Sequence, residues 1–510
     1  MPITAHHVNQ NGELIYTIST PELNVVEQQT WKDIKNEPEH IELYQYFYHD
    51  DPRLTIERKS INKKFIQNKI QSMVLDNITQ GNYDAALDLL DNMVASERKP
   101  TALMVLHLFD IILRPQQDYG TVKQLMNMCE KAQRILLYIL EVFGAGVFDC
   151  VWNMFRMHGV TRLGKRRHVQ MLAEFEDEDE EPYECSLTEF DDLWDLTARA
   201  IEYVEPRFRS GADRKEPSMD APGGKLRRQQ ALDVIISVLE ADIRSRKESA
   251  SAITQCMFMN MLRPDSTGRR TQFDRYLDII FSAFGLHDAK DEDDTSQTKD
   301  ASSVGFAGRL LDMMAILSCC QNAVAAKPLA QQTFRRFTKL DIDGCATLMQ
   351  VIQCTTFLAT LCDMHLSDSD CSKVPEKCKV LRKASIYNLD KLFRFNLWTR
   401  PLYLDELSDV YRHVLIIYWR FTTFIHERFM RFEVRSSTDN VVHNKVLTAL
   451  TDEQRERIIV STADASEKWH QHVESMIEDA LSMDPDQEDA EMLTQQIRQT
   501  AKLLVMEWEV

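Results

Sequence analysis

Apolar positions recur at helical spacing over most of the chain, and residues 304–418 look like the part around which the rest is organised. Leu310, Leu311, Met314 and Leu317 mark one long run there, and Leu348, Ile352, Phe357, Leu358 and Leu361 mark a second. Each spacing places an apolar stripe along a helix, and such a stripe has to be buried against something. A break rich in proline and cysteine follows, and then an amphipathic helix over residues 404–432. The aromatics of that helix, Tyr411, Tyr418, Trp419, Phe421, Phe424, Phe429 and Phe432, are spread too evenly for one stripe, so burial on more than one side is expected.

Upstream, residues 1–54 carry turn signals and only weak periodicity. Within them Leu14, Tyr16 and Ile18 alternate, which fits a short strand or an extended stretch lying on a helical body. The helical period begins near Thr55. Residues 80–90, QGNYDAALDLL, have the glycine, tyrosine and small residues of a tetratricopeptide-like helix pair, although no 34-residue period flanks them and an ordinary hairpin explains them as well. Apolar helices are expected over 101–113, 122–143 and 147–157, and another over 187–203 with Ser186 and Glu189 forming its capping box. Residues 206–228, with three prolines and three glycines, read as a linker. It divides a helical domain over 55–205 from a second over 229–484, whose helices are expected at 232–243, 252–262 and 273–284. Residues 287–303 read as a mobile acidic loop. A helix opened by Thr451 and Gln454 is broken by Pro485, and residues 485–510 hold a last helix. The expected fold is all-α, an alpha-solenoid-like array of helix pairs.

Composition sharpens that expectation. The 510 residues include only 15 Gly and 15 Pro, about 6% together against a usual value of about 12%. Long helices are thereby favoured over hairpin-rich sheets. Sixty basic side chains against 79 acidic ones leave a formal charge of −19, which opposes nucleic-acid binding except through a local patch or a partner. No apolar run is long enough to span a bilayer, and polar histidines stand where a signal peptide needs a basic and then an apolar run, so an intracellular protein is expected. Eleven cysteines, mostly inside apolar runs, are expected to be reduced and to pack as small hydrophobes.

Candidate chemistry is sparse. Phosphate-binding glycine loops and nucleophile-elbow signatures are missing, so neither a cofactor nor a catalytic residue is expected. Cys354, Cys362, His365, Cys371 and Cys378 gather soft ligands without CxxC spacing, which favours core or loop positions over zinc. Asp341-Ile342-Asp343-Gly344 imitates part of a calcium loop but lacks the closing glutamate, so a turn is expected there. His470 and His472 lie two apart on a helix and cannot share a metal. Arg162, Lys165, Arg166, Arg167 and His168 form a basic cluster next to the acidic run 176–181. It is a candidate phosphate or partner contact, or else an exposed loop whose two signs screen each other. Lys391, Arg394 and Arg400 are further candidates for partner contact.

Five stretches occur in an order that resembles a known family: LLDMMAILSCC (310–320), a second apolar helix ending near Met364, KVPEKC (373–378), NLDKLFRFNLW (388–398) and ELSDVYRHVLIIY (406–418). Upstream, VWNMFRMHG (151–159) and LWDLTARAI (193–201) add to the pattern. Together they resemble the helical domain of the SMC-complex localisation factors, counterparts of the non-SMC element six subunit of the DNA-repair structural-maintenance-of-chromosomes complex. About half the chain is covered, and the region before Asp110 has no counterpart. The resemblance implies a nuclear, non-enzymatic subunit that forms a hetero-oligomer with a helical protein of the element-five type. It also implies contact with the SMC complex core and control of its loading on chromatin, with direct DNA contact weak or absent. Two other readings fit a large, motif-free helical chain: an unrelated helical-repeat adaptor, and a viral capsid or nucleocapsid protein. A nucleocapsid protein has to bind RNA, which the net charge of −19 opposes.

Overall fold

A computed structural model describes residues 5–8, 14–17, 66, 68–115, 121–156, 185–203, 223–246, 255–262, 273–286, 300–319, 326–366, 393, 406–429, 452–483 and 488–506. The fold is all-α. Its helices, in chain order, are α1 (Asn68–Thr79), α2 (Tyr83–Ala95), α3 (Ala102–Leu113), α4 (Val122–Phe143), α5 (Asp149–Arg156), α6 (Leu193–Ala200), α7 (Gly224–Ser245) and α8 (Met257–Met261). They continue with α9 (Phe273–Ser282), α10 (Ala301–Cys319), α11 (Ala326–Phe337), α12 (Ile342–Val351), α13 (Thr355–Leu366), α14 (Leu407–Phe429), α15 (Asp452–Met483) and α16 (Glu488–Met506). The alternating stretch near the start forms strand β2 (Leu14–Thr17), which pairs antiparallel with β1 (Ala5–Val8) in the register Ala5 to Thr17 and Val8 to Leu14.

The chain divides into two compact units. One comprises residues 52–283 and 287–313, and its organising element is α7. This helix packs against α3, α4, α6 and α8, so Leu232, Val234, Ile235, Ile236, Val238, Leu239 and Ile243 are all buried. Burying each such side chain contributes about 1.5–3 kcal/mol relative to leaving it exposed. Gln133 on α4 donates to Asp233 on α7 at 2.9 Å across a separation of 100 residues. Within the unit, α1 and α2 form a hairpin whose turn places Gly81 at φ +77°, and Tyr83, Ala86, Leu87, Leu90 and Val94 give α2 a buried face. The stretch 80–90 therefore makes one helix pair.

Several boundaries differ from the sequence expectation for identifiable reasons. Residues 186–189 form a short 3-10 turn, not the start of a helix, because both halves of the expected capping box are engaged elsewhere. Ser186 donates through its backbone N–H (2.7 Å) and its hydroxyl to the Asp110 carboxylate, and Glu189 pairs with Arg114. Asp192 caps α6 instead, accepting from the Asp195 N–H at 2.7 Å. Of the expected linker 206–228, residues 224–228 are the first turn of α7, and residues 206–222 lie outside the described residues. The end of the expected mobile loop 287–303 is likewise ordered: Asp300 accepts from the Ser302 N–H and the Ser303 hydroxyl, both at 3.0 Å, and α10 starts at Ala301. Residues 287–299 lie outside the described residues.

The other unit comprises residues 1–51, 284–286 and 314–510, and its organising element is α14. That helix packs against α12, α13 and α16. Val410, Val414, Ile416, Ile417 and Phe421 are fully buried, so α14 is covered on more than one side, as the spread of its aromatics predicted. The second apolar run is two helices. After α12, Ile352 takes an extended backbone (ψ 110°), and Cys354 then accepts from the Leu358 N–H at 2.9 Å as α13 begins. Helix α11 was not foreseen, since its polar composition and Pro328 hide it; a proline in the first turn gives up only an N–H that has no intrahelical acceptor. Helices α15 and α16 pack together, with Arg498 donating to Glu474 at 2.8 Å.

Candidate functional site

The basic side chains singled out in the sequence, Arg162, Lys165, Arg166, Arg167, Lys391, Arg394 and Arg400, all lie outside the described residues, as does His168. What the described residues offer in residues 304–418 is the contact of α13 with α14, two helices brought together from a separation of about 50 residues.

Helix α13 buries Phe357, Leu358, Leu361, Cys362, Met364 and His365, and α14 answers with Val410, His413, Val414 and Ile417. The two imidazoles meet within this contact, with ring centroids 5.7 Å apart and planes tilted by 52°. Both are almost wholly enclosed, at 5% and 4% exposure. Nδ1 of His365 has no hydrogen-bond partner among the described residues. Burial pushes His365 down to about 4, and the guanidinium of Arg412 adds to the effect. His413 is held well below the ordinary histidine range by burial and then by His365. Arg412 donates to the Leu340 carbonyl and to Asp409, each at 3.0 Å. At neutral pH the two rings are uncharged and pack as aromatic bodies.

The expected soft-ligand set is dispersed. Cys354 and Cys362 are buried and form no disulfide, and Cys371 and Cys378 lie outside the described residues. Among the described residues no group of three metal-ligating side chains gathers. Asp341 is the N-cap of α12, accepting from the Gly344 N–H at 2.6 Å, so the calcium-like tetrapeptide is a helix start. His470 lies 3.9 Å from Glu474 while His472 is exposed, on the separate faces that their spacing dictates. The other described cysteines are buried as well, and burial lifts Cys129 and Cys256 to about 11 and Cys150 to about 12. Thiols held that high carry little thiolate and are poor nucleophiles.

Two of the resembling stretches converge on the same unit. ELSDVYRHVLIIY lies on the start of α14, and of NLDKLFRFNLW the described residue is Phe393, whose ring is 6.5 Å from Phe421 and 5.7 Å from Trp469. In the α7 unit, VWNMFR lies on α5 and LWDLTARA is α6. Trp194 of the latter stacks on Tyr276 at 4.2 Å and donates its indole N–H to the Met261 carbonyl at 3.1 Å. These side chains are core. Sequence reasoning missed the histidine pair, because each histidine looks like an isolated polar residue on an apolar helix.

No protein-family model matches the chain, and no curated protein sequence matches it. Among the described residues no helix is long and apolar enough to cross a membrane.

Proposed function

We propose that the chain is a non-enzymatic helical scaffold subunit that dimerises with a second helical protein of the element-five type. In this reading it regulates recruitment or loading of a DNA-repair SMC complex on chromatin, in the nucleus, and stacks its helix pairs as an alpha-solenoid subunit would. One observation supports it: the resembling stretches VWNMFR, LWDLTARA, LLDMMAILSC and the start of ELSDVYRHVLIIY fall on helices in the order the resemblance requires. The net charge of −19 favours a reading in which DNA contact is left to a local patch or to the partners.

Affinity capture of the tagged full chain from native extract, with mass spectrometry, tests the proposal. Expected is one helical partner at fixed stoichiometry together with SMC core subunits. A monodisperse monomer that brings down neither sinks the reading. A second reading, a helical-repeat adaptor, draws on the α1/α2 hairpin, and capture of an unrelated partner through that hairpin would favour it.

A further inference from the structure

We infer that the α13/α14 contact is a proton-sensitive latch: uncharged His365 and His413 hold the two helices together, and protonation of the rings releases them. The inference stands on placement. Two imidazoles from different helices face each other at 5.7 Å, almost fully enclosed. A proton on either ring would place a cation in an apolar contact, for His365 within the influence of Arg412, and a second proton would place two cations against each other.

The charged groups that act on the rings oppose a proton there. Arg412 acts on His365, and His365 acts on His413. On the neighbouring helices, Arg336 of α11 donates to the Gln332 carbonyl at 3.1 Å, Asp343 of α12 acts on Tyr411, and Arg498 of α16 is held by Glu474. Arg420 of α14 is a further buried cation, and Cys362 lies one turn before His365 on α13. The direction follows from linkage. Both histidines bind protons less readily folded than unfolded, so the contact is fully stable above the ordinary histidine midpoint of 6.5 and weakens as pH falls from there toward about 4. The pair differs from a single buried histidine in that release takes up two protons, so it is steeper with pH than one site would give.

Hydrogen exchange of the full chain, read by mass spectrometry at about pH 7.5 and about pH 5 and corrected for intrinsic rates, tests the latch. Peptides from α13 and α14 should lose protection by about tenfold or more at the lower pH. Equal protection of α13 and α14 at both values overturns the inference. In the double variant His365→Gln/His413→Gln the acid loss should shrink to about threefold or less; acid loss persisting undiminished also overturns it. Should that variant fail to fold, exchange at the imidazole C2 position of the wild-type chain gives the midpoint of each histidine. Midpoints clearly below 6.5 support the latch, and one at or above 6.5 overturns it.

Discussion

Arg309 in the α7 unit and His365 in the α14 unit are polar side chains set among apolar helices, and opposite means keep them there. Arg309 on α10 is ringed by acceptors from α7: Asp233 at 2.6 Å, both Glu240 carboxylate oxygens at 2.8 and 2.9 Å, and the Ser237 hydroxyl at 2.9 Å. Its charge is matched and its donors are used. His365 faces another histidine and an arginine, and persists by being neutral. Matched charge is insensitive to pH over a wide range, whereas neutrality lasts only while protons are scarce. Arg309 is thus a fixed cross-link within the α7 unit, and the histidine pair is a conditional one within the α14 unit.

Trp194→Ala removes a fully buried indole stacked on Tyr276 and should destabilise the α7 unit by about 4 kcal/mol, read as a lower urea midpoint; a loss under about 1 kcal/mol would show the site to be solvated. Acidification separates the two units directly. Lowering His365 from 6.5 to about 4 corresponds to about 3 kcal/mol at most, lost from the α14 unit between those pH values. In the α7 unit burial also pushes His107 on α3 down to about 4, one histidine against the two of the α14 unit; for Asp300 partial burial raises it, but hydrogen bonds from Gln229, Ser302, Ser303 and Lys225 outweigh that and leave it at about 2. Its contribution is present above 3.8 and disappears only as pH falls toward 2. Segment-resolved exchange should thus show α13 and α14 opening before α7 and α10, and the reverse order would refute the contrast.

Arg309→Ala should cost about 2 kcal/mol, below the usual figure for a broken buried pair because the side chain retains 30% exposure. High salt should shrink that loss only slightly, since the charges are largely enclosed. Smallest is Asp341→Ala, about 1 kcal/mol of capping free energy in the α14 unit, measured by thermal melting. Gly344→Ala beside it should cost at least as much, because its Cβ would come within 2.5 Å of the Phe284 carbonyl oxygen.

Helix class was legible wherever periodicity was unbroken. Helix α4 runs over residues 122–143 as its stripe indicates, and α3 ends at Leu113 ahead of Pro115. Legibility failed where a local signal was spent on a distant partner. Ser186 and Glu189 have the spacing of a capping box, yet Asp110 and Arg114 claim them. It failed again where polar residues form a helix that tertiary packing completes, as in α11, whose Phe334 and Phe337 are buried while Arg335 stays exposed. The histidine pair was invisible for a third reason. Nothing local to His365 encodes the neighbour on α14, so its setting exists only once the two helices dock.

The position of α7 also bears on synthesis. Helices α3 and α4 bury their apolar faces against a segment made about 100 residues after them, as the Gln133 to Asp233 bond spans. At roughly 5–20 residues per second on the ribosome, those faces wait on the order of 5–20 s for cover. During that interval the nascent chain is the form a chaperone would meet. Chains truncated before Gly223 are expected to be cut rapidly within α3 and α4 by a nonspecific protease, and chains extending past Ser245 to resist it. Equal resistance in both would mean that the early helices cover one another without their central helix.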